Sequence, residues 1–445
     1  MKIVIAGAGN VGTHLAKLLS VESQDIVLID DSEERLGQMG SSFDLLTIQE
    51  SPVSIDGLRE AGTGGADLFV AVTPDESTNL ISCQIAHSLG AKKTLARIDN
   101  GEYLNPKNMD FFQKTGIDSL IYPELLAAQE IVNGLKVSWI RQWWEFAGGL
   151  LVLMGIKIRL GAEILDKPLY ELGPGQPFHI VAIMREGNTI IPSGNDMVLA
   201  GDLVYFMTMK KEIRYIQRIA GKQQLPDVRD VIIMGGSRIA VRAAHLIPDH
   251  INLKIIESDM AQCHRLTELV DGRAMIINGD GRDPSLLMSE GISHTEAFVA
   301  LTDNSETNIL ACLAAKRFGV TKTIAEVENV DYINMAERLD IGTVINKKKI
   351  AASHIYQMML DADVTNVKSL TFANADVAEF NVMEGAKVTR CAVKDISLPR
   401  GVTIGGLIRN GQGIMVDGNT QIVPGDHVVV FCLEGMIKSV ERYFN

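Results

Sequence analysis

Long apolar runs are missing from this chain of 445 residues. The most apolar stretch, FAGGLLVLMGI from Phe146 to Ile156, is too short to span a bilayer and directly follows Glu145. A positive balance is missing too. The formal net charge of −13 argues against nucleic acid, or an anionic membrane surface, as the main partner. Paired cysteines are absent: Cys83, Cys263, Cys312, Cys391 and Cys432 lie scattered, with no CxxC. That pattern fits reduced, mostly buried thiols and not a disulfide frame. The nine histidines show no metal-ligand spacing, and no nucleophile–base pair or P-loop occurs, so neither a metal nor a catalytic residue is expected. The opening MKIVIAGAGN enters a strand-like run without the basic and apolar segments of a secretory signal, which leads us to expect a cytoplasmic protein.

What the sequence does contain is a repeat. VAVTPDESTNL (Val70 to Leu80) returns as VALTDNSETNI (Val299 to Ile309), with Asn79 and Asn308 at matching places. Around the first word, short continuous apolar runs (KIVIAG, DIVLIDD, DLLTI, ADLFVAVT, KTLARI) alternate with amphipathic stretches. Such alternation predicts a parallel sheet covered by helices on both faces. The order begins again at DVIIMGGSRIAVRAAHLI, and a period this long marks a duplicated domain. Each copy is followed by β-rich sequence, and these tails also match: REGNTIIPSGN from Arg185 with RNGQGIMVDGN from Arg409, and AGDLVYF from Ala200 with PGDHVVVF from Pro424. The length exceeds one hydrophobic core. The expected fold class is α/β: two Rossmann-like, doubly wound domains over 1–122 and 228–345, each followed by a small β-rich α+β domain, over 137–219 and 364–445. AGKQQLPDVRD (Ala220 to Asp230) reads as the linker between halves.

The chemistry sits at the start of each copy. GAGNVG places Gly7, Gly9 and Gly12 between a strand and a helix. In that pattern the first glycine permits the tight turn, the second lets the backbone approach a pyrophosphate, and the third allows close helix–strand packing, while the helix N-terminus faces the anion. Asp30 ends the second strand, where a carboxylate bonds a ribose 2′-hydroxyl and repels a 2′-phosphate. NAD or an adenosine nucleotide is therefore favoured over NADP; the alternative is a Rossmann-like domain with an empty crevice. Asp31 reads as a helix cap, with Glu33 and Glu34 in the first turn. The second copy reads GGSRIA, with Ser237 and Ala240 at the later glycine positions, Arg238 in place of Asn10, and Glu257 in place of Asp30. Arg238 can bring charge to a phosphate, or the copy is a structural remnant. Thr73 with Pro74, and Thr302 with Asp303, follow an apolar strand at the carboxyl edge of the sheet, where ligands of open α/β sheets bind. They are candidate ribose contacts or plain helix caps. Arg97 and Glu326 match at the end of the fifth strand; Arg97 reaches a phosphate or is a surface charge. Trp139, Trp143 and Trp144 all fall in WIRQWWEF, as packing under a hinge or as a subunit interface. Lys347 to Lys349 read as a solvated helix start.

The duplicated unit resembles the RCK, or KTN, domain with its C-terminal companion, and the tandem order resembles the A subunits of Trk potassium-uptake systems. The resemblance rests on KIVIAGAGNVG, IVLIDDSEERL, DLFVAVTPDESTNLISCQIA, ARIDNGEY, MGGSRIA, GDGRDPSLL and AFVALTDNSETNILACLAAKRFG, and covers essentially the whole chain. It implies a non-catalytic regulatory subunit, peripheral on the inner face of the cell membrane. It also implies a ring, typically a homotetramer, beneath a membrane potassium channel-like subunit of the Trk type, with NAD(H) or ATP/ADP in the crevices. Carried over by position, the first site is Gly7, Ala8, Gly9, Asn10, Val11, Asp30, Thr73, Pro74 and Arg97. The second is Gly235, Gly236, Ser237, Arg238, Ile239, Glu257, Gly279, Asp280, Thr302 and Glu326. Two departures stand out. The Gly-Asp pair after the third strand survives as Gly279-Asp280 but is Glu50-Ser51 in copy one, and the second glycine motif is broken. The competing readings are a tandem NAD-dependent oxidoreductase, which would need a substrate domain and an acid–base residue, and a regulator of another cation transporter.

Overall fold

The computed structural model describes every residue except 22–23, 42, 173–174, 330, 360–363, 371–374 and 434. The first α/β domain carries strands β1 (Lys2–Ala6), β2 (Asp25–Asp30), β3 (Leu46–Gln49), β4 (Leu68–Ala71), β5 (Thr94–Arg97) and β6 (Ser119–Ile121). Helices α1 (Asn10–Val21), α2 (Glu33–Gly40), α3 (Ile55–Glu60), α4 (Glu76–Leu89), α5 (Pro106–Lys114) and α6 (Pro123–Leu135) accompany them. The sheet order is β3-β2-β1-β4-β5-β6, all parallel, with the direction of progression reversing between β1 and β4. The four residues of β4 are all buried, as a strand covered on both faces requires. A first antiparallel sheet follows, from β7 (Gln142–Phe146), β8 (Leu151–Lys157), β9 (Phe178–Arg185), β10 (Asn188–Ile190) and β11 (Leu203–Met209), ordered β10-β9-β11-β8-β7 and trailed by α7 (Ile213–Ile219).

The second half repeats both sheets. Strands β12 (Asp230–Met234), β13 (Asn252–Glu257), β14 (Met275–Asn278), β15 (Ala297–Ala300), β16 (Lys322–Glu326) and β17 (Thr343–Ile345) take the order β14-β13-β12-β15-β16-β17. Helices α8 (Arg238–Leu246), α9 (Met260–Leu269), α10 (Pro284–Ser289), α11 (Ser305–Arg317) and α12 (Asp331–Arg338) belong to it, and α13 (Lys347–Met359) follows it in the chain. Then come β18 (Val364–Leu370), β19 (Ala375–Asn381), β20 (Val402–Arg409), β21 (Gln412–Met415), β22 (His427–Leu433) and α14 (Ile437–Glu441), with sheet order β18-β19-β22-β20-β21.

The matching tail words have a physical basis. Glu186-Gly187 and Asn410-Gly411 are two-residue hairpin turns with φ of 51° and 84°, and 52° and 72°. Positive φ at both positions is what a tight hairpin on twisted strands demands. The arginine before each turn forks onto a buried aspartate: Arg185 to Asp202 at 2.9 and 2.8 Å, and Arg409 to Asp426 at 2.7 Å twice. Each aspartate is 1% exposed, so its charge is tolerated only because it is paired.

The residues pack as two compact units. One comprises Met1–Leu126 with Lys347–Asp361; the other comprises Ala127–Asn346 with Ala362–Asn445. In the first, α13 packs along α1, although it is encoded after the second α/β domain. In the second, the end of α6 reaches the second α/β domain, with Gly134 facing Ile324. All three tryptophans are buried there, and Trp144 stacks on Tyr205 with centroids 6.4 Å apart. The five cysteines are free; burial pushes the Cys83 thiol up, and the Cys312 thiol up to about 12. Among the described residues no helix is long and apolar enough to cross a membrane.

Candidate functional site

Each α/β domain builds a glycine loop at the carboxyl edge of its sheet. Gly7 and Gly235 turn the chain at φ of 110° and 98°, and their amides bond to Ile29 O at 2.8 Å and Ile256 O at 2.9 Å. A Cβ on Gly7 would lie 2.9 Å from Thr73 N, and one on Gly235 2.9 Å from Leu301 C. A Cβ on Gly12 would come within 1.9 Å of Gly7 O, whereas one on Gly9 would meet nothing within 4 Å. Gly12 is therefore fixed by packing, and Gly9 faces open space beside the helix N-terminus.

The acid at the end of the second strand is tied to this loop. Asp30, 4% exposed, accepts from Ala8 N at 2.6 Å and from Ser32 N at 2.9 Å. Glu257 does the same with Gly236 N at 2.8 Å and Asp259 N at 2.9 Å. One carboxylate thus holds the glycine loop and the start of the next helix in register. The cap of α2 is Ser32, which accepts from Arg35 N, and not Asp31. Glu33 and Glu34 do occupy the first turn.

In the second copy, Ser237 turns its hydroxyl onto Ala240 N at 3.4 Å and caps α8. Ala240 is fully buried at the last glycine position. Gly235, Gly236, Ser237, Glu257, Gly279, Asp280 and Thr302 line one crevice of about 580 Å³. Asp280 does not stand alone in it: Arg282 donates to both its oxygens at 2.9 and 2.8 Å and holds the carboxyl below its ordinary range. Arg238 is exposed at the first position of α8. Ile239, like Val11 in copy one, is buried in the core, which leaves only its backbone for a ligand.

The repeated word proves to be a side-chain staple. Asn79 accepts from Thr73 N at 2.8 Å and Thr73 Oγ1 at 2.7 Å, and donates to Thr73 O and Arg97 O at 3.0 Å each. Asn308 repeats all four bonds with Thr302 and Glu326, between 2.6 and 3.0 Å. It joins the ends of two neighbouring strands and fixes the crevice floor. Thr73 and Thr302 do not cap the following helices; Asp75 caps α4 and Asn304 caps α11. Pro74 is exposed beside them. Arg97 faces Asp99 at 3.4 Å and Glu124 at 3.8 Å, so carboxylates already answer its charge, and Glu326 is buried. The asparagines were missed as site residues, although both close the words that reveal the repeat. Among the described residues no group of acidic, histidine and cysteine side chains could hold a metal ion.

The comparisons agree with this architecture. The TrkA-N domain model matches residues 3–123 and 231–347, and the TrkA-C domain model matches 153–221 and 377–445. The Trk system potassium uptake protein TrkA of Halomonas elongata is 31% identical over 452 residues, covering all of this chain and 98% of that protein. The protein of the same description from Haemophilus influenzae is 32% identical over 454 residues, again with 100% and 98% covered. Among solved structures, the GsuK channel bound to NAD superposes with a TM-score of 0.60 at 14% identity, over 100% of this chain and 78% of that one.

Proposed function

Because this chain belongs to the TrkA family of Trk-system potassium uptake proteins, we propose that it is a non-catalytic regulatory subunit that reads nucleotides and gates a membrane potassium-uptake partner. One observation carries the reading. In both halves a carboxylate braces the glycine loop at a helix N-terminus, beside a strand edge stapled by asparagine. A helix N-terminus with free amides favours a phosphate, and the braced carboxylate keeps lone pairs for ribose hydroxyls. The relative that superposes as an NAD complex supports NAD(H) as one ligand. Gly7, Ala8, Gly9, Asn10 and Val11 supply the first loop and Asp30 its ribose acceptor; Gly235, Gly236, Ser237, Arg238, Ile239 and Glu257 do so in the second.

The two sites differ in preference. The open space at Gly9 suits a pyrophosphate, so site one takes the dinucleotide. In site two Ser237 has drawn one helix amide into a cap, and Arg238 adds an exposed cation suited to a terminal phosphate. Site two therefore takes ADP or ATP. A ligand shifts gating only by its differential affinity for the two states, so two ligands let one assembly weigh redox state against energy state. The subunit works as a homotetrameric ring on the cytoplasmic face of the membrane, held there by its partner.

The test is calorimetry on the full chain. Asp30→Ala should weaken NAD binding by about 1–3 kcal/mol and leave ATP binding in place; unchanged NAD affinity would remove Asp30 from the site. A panel of alcohols and hydroxy acids with NAD should give no change in nicotinamide absorbance, and steady turnover would revive the oxidoreductase reading.

A further inference from the structure

Within the larger compact unit, a lysine is buried where the first β-rich domain meets the second α/β domain. Lys322 opens β16 and is 3% exposed. Its match in the first copy, Lys93 of KTLARI, is exposed, so the burial belongs to this junction and not to the repeated fold. The head of the side chain lies against α6: a Cβ on Gly134 would stand 3.8 Å from Lys322 Nζ. Two acceptors answer Nζ. One is Ile140 O, in the segment leading into β7; the other is Thr343 Oγ1 of β17, at 3.2 Å. Thr343 Oγ1 donates its own proton to Arg141 O at 2.7 Å, so toward Lys322 it acts as acceptor. Lys322, Thr343 and two successive carbonyls thus form a short chain of hydrogen bonds across the domain boundary.

The count of donors decides which protonation state fits. A neutral amine has two N–H groups and an ammonium three. Two acceptors match the amine; a proton adds a third donor without a partner in a site almost closed to water, which is penalised. Among the described residues no carboxylate pairs with Lys322. Asp340, in the turn before β17, already pairs with Arg141, with Arg159 at 2.9 Å and with Lys316 of α11 at 3.2 Å. Glu296, before β15, accepts from the amides of Arg229 and Asp230 at 3.0 and 2.8 Å. Glu130 of α6, half-buried, stands one turn before Gly134. Burial, then the Arg141 charge, push Lys322 down to about 7, in agreement with the donor count.

We propose that Lys322 is a proton-operated latch: as a neutral amine it fastens the first β-rich domain to the second α/β domain, and on taking up a proton it loosens that junction. In the loosened junction the amine is hydrated and holds its proton throughout the ordinary lysine range, whereas in the closed junction it does so only below about neutrality. Closing therefore releases a proton. The closed form is favoured as pH rises, loses about tenfold per unit as pH falls toward neutrality, and meets no further penalty below it. The latch involves neither glycine loop, so the inference does not depend on the nucleotide reading.

The experiment is amide hydrogen exchange on the full chain at pH 6 and pH 8, corrected for the intrinsic pH dependence of exchange. Wild type is compared with Lys322→Met, which keeps the side-chain length and cannot titrate, and with Lys93→Met, the exposed counterpart. NMR of chains labelled at the lysine Cε follows the titration directly. We expect one lysine signal that titrates near neutrality and is missing in Lys322→Met. Protection of residues 137–144 and 341–346 should be about tenfold lower at pH 6 than at pH 8 in wild type and in Lys93→Met, and should lose that difference in Lys322→Met. Where Lys322→Met fails to fold, the wild-type exchange profile decides, because the loss at pH 6 must centre on these two segments. Ordinary titration of every lysine, equal protection of the two segments at both pH values, or the same pH dependence in folded Lys322→Met would overturn the proposal.

Discussion

The two halves share one frame and differ at a few positions set on it. Both have the same sheet orders, the same four-bond asparagine staple, the same carboxylate brace and the same buried arginine–aspartate fork. They differ at Gly9 and Ser237, Asn10 and Arg238, Arg97 and Glu326, and Ser51 and Asp280. The shared features satisfy buried polar groups, and a buried polar group left without a partner is penalised wherever it occurs in the frame. Apart from Arg97 and the buried Glu326, the divergent positions lie at or beside the glycine loops and the edge of the third strand, where the frame exerts no such demand.

The comparison breaks most easily at the staple. Asn79→Ala and Asn308→Ala each remove four hydrogen bonds and orphan buried backbone groups. Each should cost about 3 kcal/mol of stability in denaturant titration. A difference between the two variants above about 1.5 kcal/mol would show that the staples are not equivalent. The next largest effect is expected at the glycines. Gly12→Ala places a Cβ against Gly7 O, which cannot move without opening the loop, and should cost about 1–3 kcal/mol. Gly9→Ser, which copies the second half, meets no clash and should leave stability within about 0.5 kcal/mol while lowering NAD affinity. Equal destabilisation by both would contradict the division into a packing glycine and a ligand-facing one. The smallest effect is the sharpest on function. With site two weakened by Glu257→Ala, or site one by Asp30→Ala, the remaining site should differ in its preference between NAD and ATP by about 1 kcal/mol, several-fold in affinity. Identical rank orders in the two variants would remove the proposed division of labour. The full chain is needed for this, because cutting between the repeats would strip α1 of the α13 that packs on it.

Much of the frame was legible in the sequence because its cause is local. Continuous apolar strands and interleaved amphipathic helices have one good solution, a covered parallel sheet, and the second copy confirmed the segmentation of the first. The glycine loop was legible for the same reason. The staple was visible as a repeated word but not as a mechanism, since Asn79 acts on the carbonyl of Arg97, which only the adjacency of β4 and β5 brings near. Helix caps were misplaced by one or two residues: Ser32, Asp75 and Asn304 serve where Asp31, Thr73 and Thr302 were candidates, because several capping residues stand in a row. The cluster around Asp340 was not legible at all. Arg141, Arg159 and Lys316, which all pair with that aspartate, come from separate segments, and no periodicity links them.

The placement of α13 also sets the order in which the molecule can be made. The first compact unit takes Met1–Leu126 from one end of the chain and Lys347–Asp361 from far downstream. At a translation rate of roughly 5–20 residues per second, the nascent first sheet waits some tens of seconds for the helix that covers α1. Throughout that interval the face of α1 that α13 covers is open to chaperones or to the same face of another nascent chain on the same message. A stop codon at any point before residue 347 therefore damages the part already synthesised as well as the part left out.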